Sequence, residues 1–207
     1  MNNKISKSEK TRNFIIESMA EVFNKRGYAG TSMADAQAIT GLSRGCIYGN
    51  FENKEIMALA VFEYNLAKLC TVIHNRIIKA KTFEAKLMVY ARVYRTLAED
   101  NFLLGGSPIL NTATEADDTN GLLKERVATA SLKWQTCMAG FVEEGIKAGE
   151  FREDTNAAQI AFTILSLIEG ALILTRINGD PSRMDQVMTS VAQMLSNIGR
   201  IEKTIIN

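Results

Sequence analysis

Apolar residues recur at intervals of three and four along nearly the whole chain, and this spacing constrains the fold more than any other feature. Phe83, Leu87, Tyr90, Tyr94 and Leu97 trace one such stripe, and Ile15, Met19, Val22 and Phe23 trace another. This is the pattern of one face of an α-helix. No segment of useful length alternates as a strand does. Only two prolines, Pro108 and Pro181, interrupt the 207 residues, so long helices can run unbroken. With 46% hydrophobic residues the chain can bury a substantial core. The expected class is all-α.

Glycines and short polar residues punctuate the periodic stretches. Gly27, behind Lys25 and Arg26, closes a helix predicted over 8–26, where basic residues meet the negative end of the helix dipole. Thr31 or Ser32 caps the next, with Asp35 spaced for a capping box with Ser32. That helix stops near Thr40, before Gly41. Ser43 caps a short helix to about Asn50, and Asn53 opens a long one over 53–80. Gly105-Gly106-Ser107-Pro108 cannot propagate a helix. Helices are predicted to resume from about Ile109 to before Gly121, and again over 121–148, closed by Gly149. Another spans 156–178, capped by Thr155 or Asp154. Asp180-Pro181 opens the last, with proline at its first position.

Charge and cysteine usage narrow the classes. A net charge of +1 excludes a polybasic nucleic-acid coat. Residues 1–60 nevertheless carry eight Lys and Arg against six Asp and Glu, a small bias on the side that favours an anionic partner. Cys46, Cys70 and Cys137 are odd in number and widely spaced, which fits neither a disulfide framework nor a zinc pattern. A reducing cytoplasm is the expected compartment. The N-terminus shows no secretory segment. The most apolar stretch, Ile160 to Thr175, is shorter than the roughly 20 residues of a membrane helix and contains Glu169, so no membrane partner is expected. No nucleophile–base pair, metal-ligand pattern or phosphate-cradling loop stands at useful spacing. No cofactor is expected.

The segment from Gly27 to Lys54 carries the function. A helix-turn-helix needs apolar residues that fix two helices at a steep angle, a turn residue, and short exposed side chains opening the second helix. Ile39, Leu42, Ile47 and Phe51 are the packing candidates, and Gly41 the turn. Ser43, Arg44, Gly45, Cys46 and Tyr48 remain for the outer face. A helix opening in this way can enter a DNA major groove with its N-terminal end.

At these residues the chain closely resembles the tetracycline-repressor (TetR) family of bacterial transcriptional regulators. The signature runs Phe23-x-x-x-Gly27-Tyr28, Gly30-Thr31-Ser32, Gly41-Leu42-Ser43-Arg44-Gly45, then Ile47-Tyr48-x-x-Phe51-x-x-Lys54-Glu55. Gly105 to Thr112, followed by Glu115-Ala116-Asp117-Asp118, resembles one C-terminal subgroup. The resemblance implies an N-terminal three-helix DNA-binding domain, 1–52, and a C-terminal helical ligand-binding and dimerisation domain, 53–207. Ala36 stands where the family usually has a large aliphatic residue and Ile39 where it has a small one, which suggests a compensating size swap. Cys46 replaces a more usual Thr, Ser or Ala. Ser107 stands where the subgroup often has cysteine, which excludes a thiol sensor there.

Arg44 is the candidate base reader, because its guanidinium can bind guanine O6 and N7 together; a phosphate contact or a solvated arginine is the plainer alternative. Gly45 allows close approach to the groove, and Cys46 can touch a thymine methyl or be a structural thiol. By the resemblance, Thr31, Ser43, Tyr48 and Lys54 contact phosphate. Ser32 joins the DNA-facing set and Asn50 is a weaker candidate, while Thr31 and Ser43 also serve as caps. Lys4, Lys7, Lys10 and Arg12 suggest a backbone-tracking arm or a solvated tail. The expected partners are a double-stranded DNA operator, an unidentified small-molecule inducer, and a second copy of the chain through 156–178 and 182–200. Val187, Val191, Met194, Leu195 and Ile198 line the last helix. The protein would be cytoplasmic, on the nucleoid when DNA-bound. Pocket candidates are Tyr90, Tyr94, Phe102, Trp134, Cys137, Met138, Phe141, Phe162 and Glu169, with ordinary core packing the alternative for each. Glu169, a carboxylate in an apolar run, needs a partner such as a ligand or Arg176. His74 is expected at the surface. Glu115, Asp117 and Asp118 are expected to be capping and solvated charge, with a dimer or interdomain salt bridge the alternative. The competing functions are a helical protein-interaction module, or an enzyme with a vestigial helix-turn-helix.

Overall fold

The computed structural model describes residues 6–99 and 103–199, and among these every extended element is an α-helix. They are α1 (Lys7–Arg26), α2 (Met33–Thr40), α3 (Arg44–Asn50), α4 (Lys54–Ile77), α5 (Phe83–Glu99), α6 (Pro108–Ala116), α7 (Gly121–Lys147), α8 (Ala157–Asn178) and α9 (Arg183–Ile198). The chain divides into two compact units. The first comprises 1–70 and 101–129, the second 71–100 and 130–207.

The first unit does not end at residue 52, for a packing reason. Its core joins Ile15, Met19 and Phe23 of α1 with Ala36 of α2, Ile47 of α3 and Phe51. It closes only with Met57, Ala58 and Val61 of α4, Ala116 of α6 and Leu123 of α7. Ala36 is fully buried while Ile39 is 42% exposed. The expected size swap and the packing role for Ile39 therefore fail: Ile39 projects away from the core that Ala36 lines, so its bulk cannot compensate.

Polar stitches fix α6 against α1. The buried Asn24 side chain donates to the Leu104 and Gly106 carbonyls at 2.7 and 2.9 Å. Asn111 returns the bond, donating to the Asn24 and Gly105 carbonyls at 2.9 and 2.8 Å. The Gly105–Pro108 turn is thus a helix connection with its carbonyls tied down. Ser107 caps α6 through the Leu110 N–H, and Pro108 takes the first helical position.

In the second unit α5 packs against α8 and α9, which pack on each other. Arg95 of α5 pairs with Asp185 of α9 at 2.5 Å, which holds the Asp185 carboxyl below its ordinary range. Glu150 caps α5 by accepting the Phe83 and Glu84 N–H groups. Two expected starts are corrected. Asn156, rather than Thr155 or Asp154, caps α8 through the Gln159 N–H. Pro181 lies in a turn before α9, whose first residue is Arg183. There the Pro181 and Ser182 carbonyls accept from Met184 and Asp185, which sets the helix back by two residues.

Length does not separate the apolar helices from membrane spans as expected. By length and composition, α4 and α8 are both apolar enough to cross a membrane. Both, however, bury one face in the core: α4 seats Met57, Val61, Leu69 and Ile73, and α8 seats Ala161, Ile164, Leu165, Ile168 and Leu172.

Removing the Asn24 amide leaves two inward-facing carbonyls without their donor. Asn24→Ala is expected to lower the unfolding free energy by about 2 kcal/mol. A urea titration at unchanged slope reads this directly; no shift in midpoint would show that the stitch is not what holds α6.

Candidate nucleic-acid interface

Helix α3 has seven residues, too few to persist alone in water, so the site exists only through its anchors. At its N-terminus the Ser43 hydroxyl accepts the Cys46 N–H at 3.2 Å. At its C-terminus the Arg12 guanidinium donates to the Asn50 carbonyl and stacks 4.0 Å over the Phe51 ring. A cation at the negative end of a helix stabilises it. Between these ends Ile47 is fully buried and Phe51 nearly so. Before α3, Gly41 adopts φ +70°, a left-handed conformation that costs a residue with a Cβ about 1 kcal/mol or more. It closes α2 and turns the chain within two residues.

Helix α2 begins with the expected capping box. The Ser32 hydroxyl accepts the Asp35 N–H at 3.2 Å, and the Asp35 carboxylate accepts the Ser32 N–H at 2.7 Å. The hydroxyl and N–H of Ser32 hold the Asp35 carboxyl below its ordinary range. The box is therefore present above that range and is lost as pH falls through the lowered value.

What anchoring leaves outward is Ser43, Arg44, Gly45 and Tyr48, all exposed, with Cys46 half-buried. The Arg44 guanidinium lies 5.3 Å from the Tyr48 ring centre, an i,i+4 stack that extends the arginine along the open face. A Cβ on Gly45 would meet nothing within 4 Å, so the surface there is open to a groove. Ser32 is also exposed.

Four expected contacts are placed differently. Thr31 is buried at 2% exposure and its hydroxyl donates to the Gly27 carbonyl at 2.8 Å, which spends the donor a phosphate would need. The Asn50 amide turns back onto the Cys46 carbonyl at 2.8 Å. Lys54 donates to the Tyr28 carbonyl at 3.0 Å with its ammonium 4.0 Å over the Tyr28 ring. Arg12 is an internal brace rather than part of an arm; Lys7 and Lys10 lie within α1, and Lys4 lies outside the described residues. The sequence named none of these braces. Only the basic and aromatic character of Arg12, Tyr28 and Lys54 hinted at them.

The pocket candidates of the second unit separate into two groups. Tyr90, Tyr94, Trp134, Met138 and Glu169 are buried together. The Trp134 ring meets Tyr90 and Tyr94 edge-on at 5.9 and 6.2 Å. The Tyr94 hydroxyl donates to Glu169 Oε1 at 2.5 Å, so a tyrosine rather than Arg176 answers the buried carboxylate there. Phe162 and Cys137 are exposed and leave the set. Phe141 is half-buried with Lys86 5.6 Å from its ring centre, and Phe102 lies outside the described residues. His74 is exposed, as expected.

Helix α8 is apolar on both sides. Opposite its buried face stand Phe162, Leu167, Ile173, Leu174 and Ile177, of which Ile177 is 74% exposed. In α9, by contrast, Val191, Leu195 and Ile198 are buried in the chain's own core and Val187 and Met194 are half-buried. The apolar stripe expected at an interface is largely used internally.

Taken together, a capped short helix with an arginine-led outer face, held by a glycine turn behind a second helix, defines a helix-turn-helix DNA-binding regulator. Comparison with known proteins agrees. A family model described as "Bacterial regulatory proteins, tetR family" matches residues 15–61. One described as "Tetracyclin repressor-like, C-terminal domain" matches residues 84–191. A crystal structure of a TetR-family transcriptional regulator from Cytophaga hutchinsonii is 39% identical and superposes with a TM-score of 0.90, covering 97% of this chain and 100% of that one. A TetR regulator from Chloroflexus aurantiacus is 36% identical at the same TM-score, covering 94% and 98%. The "HTH-type transcriptional repressor DhaR" of Mycobacterium sp. (strain GP1) is 23% identical over 186 residues, 89% of this chain and 91% of that protein. The chain belongs to the TetR family of bacterial transcriptional regulators. Members of this family are regulators rather than enzymes, bind DNA operators and act as dimers with small-molecule ligands. They are soluble cytoplasmic proteins. Neither an enzyme nor a protein-interaction module gains support.

The Lys54 brace sets up a test of its own. Lys54→Met keeps the aliphatic stem and is expected to cost about 1 kcal/mol of stability while leaving the salt dependence of DNA binding unchanged. A slope flatter by about one unit would instead return the ammonium to a phosphate.

Proposed function

We propose that this chain is a repressor that binds a palindromic operator as a homodimer and is released from it by a small-molecule inducer. The observation that carries the reading is the outer face of α3, where Arg44 stacks along Tyr48 beside an open Gly45. Arg44 reads a guanine edge, Cys46 meets a thymine methyl, and Ser32, Ser43 and Tyr48 set the register on phosphates. One such unit covers too few base pairs to select a site. A two-fold pair spans half-sites about 34–36 Å apart or a multiple of that.

The pair forms through α8. Its outward face exposes Phe162, Leu167, Ile173, Leu174 and Ile177, and exposed apolar patches mark interaction surfaces. The exposed side of α9 forms the rim, since its apolar side is already occupied. Residues 1–52 present the DNA-reading surface, on a core that α4, α6 and α7 complete, and the inducer site and the dimer contact lie within 53–207. The cluster of Tyr90, Tyr94, Trp134 and Glu169 is where an inducer of cationic or hydroxylated character would insert. Occupancy of operators places the protein on the nucleoid.

A salt-dependent gel shift on DNA upstream of the chain's own coding region tests the reading and yields an operator. Arg44→Ala is expected to weaken binding unevenly across operator variants, by about 1–3 kcal/mol where the guanine is present; equal losses on every variant would count against base readout. Ile177→Glu together with Leu174→Glu is expected to give a folded monomer by light scattering at micromolar protein. A dimer that survives both changes would move the interface off α8.

A further inference from the structure

We propose that Glu115 is a positioning residue for operator binding: its carboxylate seats the turn between α1 and α2 so that α2 and α3 are presented to DNA together. The proposal rests on the DNA-binding reading above and adds a residue to it. Glu115 lies on α6, about ninety residues from that turn, yet its Oε2 accepts the Tyr28 N–H at 2.5 Å and its Oε1 accepts the Ala29 N–H at 2.6 Å. Two consecutive backbone donors on one carboxylate form a charge-assisted pair, which is stronger and more directional than neutral bonds.

The turn is shaped to admit this carboxylate. Gly27 has φ +74°, and a Cβ there would lie 2.3 Å from Glu115 Oε2. The positive φ favours glycine there, and any Cβ would push the Glu115 carboxylate off the turn. The peptide of Tyr28 is gripped on its other side as well, because Lys54 donates to its carbonyl and covers its ring. An acid on α6 and a cation on α4 thus hold opposite ends of one residue. The Thr31 hydroxyl, bonded to the Gly27 carbonyl, carries the constraint into the capping box that starts α2. Glu115 is not needed to keep α6 on α1, since the Asn24–Asn111 stitches do that separately. Its two bonds act on the turn alone.

Glu115→Gln keeps the shape but sets an NH2 group against a backbone N–H. Three readings on the intact protein test the proposal: affinity for the operator duplex recovered above, affinity for a random duplex with its salt slope, and hydrogen exchange of the Tyr28 and Ala29 amides. The expected result is operator affinity lower by about tenfold, an unchanged random-duplex affinity and slope, because no phosphate contact is lost, and faster exchange at both amides. Glu115→Asp keeps the charge but withdraws the oxygens by one methylene, and should share the operator defect. Operator affinity equal to the unmodified protein's in both variants overturns the proposal alone. So does a loss that simply follows a fall in melting temperature and affects both duplexes alike. An unmodified protein that binds no operator overturns the DNA-binding reading and this proposal with it.

Discussion

The structure around the DNA-reading face depends on holding a seven-residue helix that has no stability of its own. Helix nucleation is costly and pays back only over many residues, so α3 must borrow order from outside itself. Ser43 satisfies a donor at one end and Arg12 an acceptor at the other. Ile47 and Phe51 bind its inner side to the core. Every one of these anchors points inward or along the axis. That is why Arg44, Gly45 and Tyr48 are left outward, and why the face they form has a defined direction.

The core that receives Ile47 and Phe51 is assembled from distant parts of the chain. Ala116 and Leu123 complete it, and Asn24, Asn111 and Glu115 bind the α6 segment to α1 and to the turn beyond it through bonds to backbone groups. Backbone-directed bonds matter here because they fix position without depending on what the partner side chain is. They also draw side chains away from other tasks. Thr31, Asn50 and Lys54 each have a polar group that could meet a phosphate, and each is already committed to a carbonyl.

Helix α8 shows the opposite economy. Its composition is apolar all round, which by itself signals neighbours on several sides. Among the described residues the fold packs α8 against α5 and α9 and leaves Phe162, Leu174 and Ile177 facing out. The last helix resolves its periodicity the other way, turning Val191, Leu195 and Ile198 into the core. Equal apolar patterns in sequence therefore have unequal destinations.

The sequence by itself determined the helices, because periodicity, caps and glycine stops act within a few residues. The start of α3 at Ser43, the capping box of Ser32 and Asp35 and the break at Gly41 were all legible for that reason, as was the outward set led by Arg44. The starts of α8 and α9 were misplaced by a residue or two, α8 because neighbouring polar residues compete for one cap and α9 because turn bonds at Pro181 and Ser182 delay the helix. Only the tertiary structure decided which polar side chains are braces. Arg12, Lys54 and Glu115 look like surface charges in sequence, since nothing local distinguishes from water a carbonyl 38 or 26 residues away or an N–H 87 residues away. It also decided the fate of Ile39, exposed despite its size, and of Glu169, whose carboxylate meets Tyr94 across two helices. Short-range preferences write the elements; long-range burial decides which of their faces are spent on the fold and which remain for DNA, ligand and partner.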